Sequence, residues 1–75
     1  MNKARIVYRM PTGGLVFDVP NTSYNIMWAG PGARLKIGHP MKPGGMVTTI
    51  DHHTANGNYD NAREATAAVE AFLAS

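Results

Sequence analysis

Between clusters of proline and glycine the chain alternates apolar and polar residues with a period of two, the pattern of half-buried β-strands. Five runs read as strands over about 4–10, 15–19, 24–29, 33–39 and 46–52: ARIVYRM, LVFDV, YNIMWA, ARLKIGH and MVTTIDH. The breaks MPTGG, DVPN, AGPGA and MKPGG carry turn chemistry. Short connections imply antiparallel neighbours, hence a five-stranded meander.

Register tests the assignment, because a one-residue slip moves every apolar side chain to the other face. A four-residue loop Pro11–Gly14 sets Met10 opposite Leu15, Tyr8 opposite Phe17 and Ile6 opposite Val19. The loop Pro20–Ser23 sets Val19 opposite Tyr24, Phe17 opposite Ile26 and Leu15 opposite Trp28. Ala29–Gly32 sets Trp28 opposite Ala33, Ile26 opposite Leu35 and Tyr24 opposite Ile37; Pro40–Gly45 sets His39 opposite Met46, Ile37 opposite Thr48 and Leu35 opposite Ile50. Each connection keeps one apolar face. Two hairpins, ARIVYRMPTGGLV and ARLKIGHPMKPGGMV, echo each other, and their Gly-Gly pairs fit turns that need positive φ.

The period changes to that of a helix over about 61–74. Asn61 followed by Glu64 is a capping-box pattern, and Ala62, Ala65, Val69, Phe72 and Leu73 form one stripe. The stripe is expected to cover the apolar sheet face, leaving Arg63 and Glu70 in water. The fold class is therefore α+β: an antiparallel meander, as an open sheet or a small barrel, packed by one C-terminal helix in a single domain, 1–75. Residues 58–73, read as Tyr-Asp-Asn-x-x-Glu-Ala-x-x-Ala-Val-Glu-Ala-Phe-Leu from Tyr59, resemble the closing helix of small phage and mobile-element proteins. The arm-binding domains of phage integrases, three strands and a helix, carry a similar ending. The resemblance implies a phage or mobile-element protein that modulates a host macromolecule, including the anti-defence type.

At 75 residues the core is marginal by area, and the chain has no cysteine to supply disulfides or thiolate metal ligands. Tight packing or self-association into a homodimer is what remains. No run approaches the roughly 20 apolar residues of a membrane span, and MNKARIVYRM lacks a signal-type apolar stretch, so the expected compartment is cytoplasmic. The net charge of +2 is uneven: residues 1–43 hold six cations and one carboxylate, whereas 44–75 hold Arg63 and four carboxylates. The strands are basic and the helical end acidic, a polarity that steers an acidic partner.

IDHHTANGNYD is the tempting chemistry. Its Asp-His-His resembles the signature of a phosphoesterase family, which needs further metal-binding aspartates across a far longer chain. His52 and His53 are adjacent in an extended run and point to opposite faces. Asp51 and His53 share a face and are the only basis for a metal-assisted hydrolase, yet His39 falls roughly 20 Å away in the expected register. No nucleophile elbow is present. The reading is non-enzymatic, with no cofactor.

The face opposite the apolar one collects Arg5, Val7 and Arg9; Val16 and Asp18; Asn25 and Met27; Arg34 and Lys36; Val47 and Thr49. Apolar residues ringed by cations describe a contact surface. Arg5, Val7, Arg9, Met27, Arg34 and Lys36 are its expected binding residues. A host protein is the favoured partner. A nucleic acid is the alternative, since Tyr8, Phe17, Tyr24 and Trp28 are all expected on the core side, and only loop-based Tyr59 is left for stacking.

Overall fold

A computed structural model of the chain describes residues 3–38, 46–50 (backbone only) and 58–74. Strands β1 (Arg5–Arg9), β2 (Leu15–Asp18), β3 (Asn25–Trp28), β4 (Leu35–Gly38) and β5 (Met46–Ile50) precede the helix α1 (Ala62–Ala74). The strands pair antiparallel in the order β1-β2-β3-β4-β5, and the sheet is open, with β1 along one edge. The α+β class and the C-terminal helix on an antiparallel sheet agree with the sequence reading.

The turns explain both where the expected register holds and where it fails. At the first hairpin the Gly13 N–H donates to the Met10 carbonyl at 3.0 Å, and the Met10 N–H donates to the Gly14 carbonyl at 2.9 Å. Gly13 has φ 94°. This is a three-residue loop, Pro11–Gly13, ending in a left-handed glycine. Gly14 belongs to the ladder rather than to the loop, since its carbonyl accepts the Met10 N–H, and a Cβ there would fall 2.5 Å from the Trp28 carbonyl oxygen. Losing one loop residue slips the register by one, so Tyr8 faces Val16 and Arg9 faces Leu15. A bulge between Ile6 and Tyr8 then sets Ile6 opposite Phe17, two places from the expected Val19 but back on the apolar face, and Arg5 opposite Asp18.

The second connection follows expectation: Val19 donates its N–H to Tyr24, and Leu15–Trp28 and Phe17–Ile26 are opposed. Pro20 and Asn21 (φ 65°) form the centre of its turn, with Thr22 N–H returning to the Val19 carbonyl at 3.2 Å. The third is two residues longer than expected. Ala33 does not pair with Trp28; it bridges to Tyr59, with Gly32 N–H to Tyr59 O at 2.8 Å and Tyr59 N–H to Ala33 O at 3.0 Å. Leu35 therefore faces Trp28 and Ile37 faces Ile26. A two-residue shift preserves the face, so the core survives the misplacement. In the fourth pairing Leu35–Ile50 and Ile37–Thr48 are as expected. The Pro40–Gly45 connection lies outside the described residues.

On one side of the sheet Leu15, Phe17, Ile26, Trp28 and Leu35 pack with Tyr59 and with Ala65, Ala68 and Val69 of α1. Ala65, Ala68 and Val69 form the buried side of the helix, while Phe72 and Leu73 complete the seal half-buried. Asn61 caps α1, its Oδ1 accepting from the Glu64 N–H at 2.9 Å, and Glu64 reaches back to the Asp60 N–H at 3.4 Å. Two expectations about the helix fail. Ala62 is exposed rather than on the buried stripe. Glu70 is half-buried rather than solvated, and its Oε2 accepts from the Ala4 N–H at 3.1 Å, tying the segment before β1 to the last turns of α1.

Candidate functional site

The sheet face without the helix is the first candidate. Strand alternation and the register set Tyr8, Val16, Met27 and Lys36 side by side on it, one from each of β1 to β4. A second row runs Arg5, Asp18, Asn25, Gly38. Val16 is 8% exposed yet stands apart from the helix-side core, so it is the floor of this face. Met27 is half-buried beside it, and Lys36 is exposed. Tyr8 is 57% exposed.

Of the six expected binding residues, Arg5, Met27 and Lys36 occupy this face. Val7 is the bulge residue, 44% exposed at the sheet edge. Arg34 is exposed just ahead of β4. Arg9 is a correction. The one-residue slip turns it to the helix side, beside Leu15 and α1. The same slip brings out Tyr8, expected in the core, and the legible signal was the Pro-x-Gly of a three-residue loop. Tyr59, expected to be available for stacking, is 1% exposed; its carbonyl also accepts the Trp28 indole N–H at 3.2 Å. Tyr24, expected inside, is 45% exposed. Arg5 is not a free cation: its guanidinium lies 3.9 Å from the Asp18 carboxylate.

The second candidate is a shallow groove of about 420 Å³ between β1 and α1. Ile6, Leu15 and Ala67 give it an apolar floor, and Arg9, Arg63 and Glu70 border it.

The third, the histidine stretch, gains nothing. Asp51, His52, His53 and His39 lie outside the described residues, and among the described residues no three His, Asp or Glu side chains gather as metal ligands. No described helix is long and apolar enough to cross a membrane. Comparison with protein-family models, with curated proteins and with solved structures finds no match to this chain.

Proposed function

We propose that the protein is a non-enzymatic interaction module that binds another protein through the helix-free face of its sheet. The observation that carries this reading is the Tyr8–Val16–Met27–Lys36 row: an exposed aromatic ring and a thioether over an apolar floor, with a cation at the margin. Such a composition, an aromatic and Met centre with a polar rim, is that of an interface core. Strand spacing and length give the face roughly 300 Å², less than half of the ~800 Å² each partner contributes to a standard interface. The interaction is therefore of the transient class, or it recruits loops around the sheet. The closing-helix resemblance points to a host protein as the partner of a phage or mobile-element factor.

A nucleic acid is the second reading, favoured by one observation, the exposed ring of Tyr8 available for stacking. Cation supply counts against it. With Arg9 on the helix side and Arg5 beside Asp18, the central row offers Lys36 alone for phosphate contacts.

Affinity capture from host lysate with nuclease, comparing the wild type with Tyr8→Ala/Lys36→Glu, decides between them. The expected result is a nuclease-resistant protein lost by the variant, with Tyr8→Ala alone costing about 2 kcal/mol in direct binding. Equal capture by the variant refutes the sheet-face reading. A nuclease-sensitive partner whose log affinity falls linearly with log salt replaces it by the second.

A further inference from the structure

We infer that the edge of β1 and the groove between β1 and α1 form a second docking site, which takes an extended acidic peptide as an added strand. This surface is separate from the helix-free face and does not rest on its reading. Three observations converge on it. First, β1 borders only β2, so its outer edge is unpaired within the sheet, and four of its five residues are exposed. The Met10 N–H bonds inward to Gly14, so by antiparallel alternation Arg9 turns its own N–H and C=O outward, where a peptide strand can pair.

Second, the groove alongside has an apolar floor of Ile6, Leu15 and Ala67, suited to alternate apolar side chains of such a strand. Third, its charge specifies the occupant. Arg9 and Arg63 border the groove, and neither has an ion-pair partner among the described residues. The bordering carboxylate, Glu70, is engaged by the Ala4 N–H at the other end. Ala4 beside Glu70, and Arg9 with Arg63 lining one groove, mean that β1 and α1 run in opposite directions. The cationic end thus coincides with the first turn of α1, where the Glu64 carboxylate is engaged by the cap through the Asp60 N–H.

A peptide carboxylate between the two guanidiniums satisfies both. A second copy of this chain is a poor occupant of the same edge. Antiparallel self-pairing centred on Val7 sets Arg5 opposite Arg9 at both ends, and directly opposed like charges destabilise a ladder.

Amide NMR titration of the full chain tests the assignment. The probes are an octapeptide of alternating valine and glutamate, its lysine counterpart, and a glutamate version N-methylated at every residue, which leaves neither edge a donor. The glutamate peptide is expected to shift amides of Ile6–Arg9 and of Arg63–Glu70, with the lysine peptide inert. Charge reversal by Arg9→Glu with Arg63→Glu, or N-methylation, is expected to weaken binding about tenfold or more. Lys36→Glu on the other face is expected to leave it unchanged, which separates this site from the sheet-face reading.

No shifts at millimolar peptide, equal binding of the lysine peptide, or equal binding of the N-methylated peptide each overturns the proposal. The peptide comparisons use the wild type, so they decide the matter even where the double reversal does not fold. A concentration-dependent dimer whose contacts map to β1 assigns the edge to a second copy and overturns it as well.

Discussion

Gly13 and Gly14 are adjacent and chemically identical, yet the fold needs each for a different reason. Gly13 stands in open space at φ +94°, so only its backbone conformation demands glycine. Gly14 has ordinary φ but is pressed against the backbone of Trp28 and Ala29, where an added Cβ would lie 2.5 Å and 2.9 Å from backbone atoms. Backbone in the middle of a sheet cannot step aside as a flexible side chain can. Gly13→Ala is expected to cost about 1 kcal/mol, and Gly14→Ala more, about 2–3 kcal/mol, by urea unfolding. Equal losses at the two positions would show that the close approach of β3 to the turn is not what fixes Gly14. The stretch TGG therefore holds two instructions: turn here, then let the third strand pass close.

That distinction governed how much of the sheet was legible in the chain. Alternation locates the strands, and a connection two residues longer than expected, as between Trp28 and Leu35, leaves the core face intact. The first hairpin differs from expectation by one residue, and parity carries that difference to the side chains: Tyr8 turns to the helix-free face and Arg9 to the helix side. The bulge at Val7 then returns Ile6 to the apolar face, a correction that no local pattern announces. The bridge from Ala33 to Tyr59 is illegible too, being a contact between residues far apart in the chain. The helix, by contrast, was legible nearly to the residue, since Asn61 and Glu64 cap it through contacts three positions apart. Asn61→Ala is expected to cost about 1 kcal/mol. In a domain of this size that lowers Tm by roughly 4–8 °C, measured by far-UV circular dichroism; no change in Tm would mean that the cap is dispensable once α1 is packed.

Neither layer of the molecule is stable by itself. A helix of 13 residues is marginal in water, and the sheet without it exposes Phe17, Ile26, Trp28 and Leu35, all within 1% of complete burial. The two layers are joined at both ends of α1. Near one, the Ala4 N–H is held by Glu70, 66 positions away; near the other, the Tyr59 carbonyl ahead of the helix takes the Trp28 indole and the Gly32 N–H. Opening α1 together with the Tyr59 segment ahead of it strips partners from Ala4, from Trp28 of β3 and from Gly32 in the turn before β4, so unfolding is expected to be all-or-none. The single tryptophan, 1% exposed on the middle strand, reports the sheet, and far-UV circular dichroism near 222 nm reports α1. In urea the fluorescence and dichroism transitions are expected to coincide, with a total stability of about 4–11 kcal/mol for a chain of this length. Loss of the helical signal at lower urea than the Trp28 red shift would mean that the sheet survives without its cover, and the coupling through Tyr59 and Glu70 would then be too weak to unite the layers.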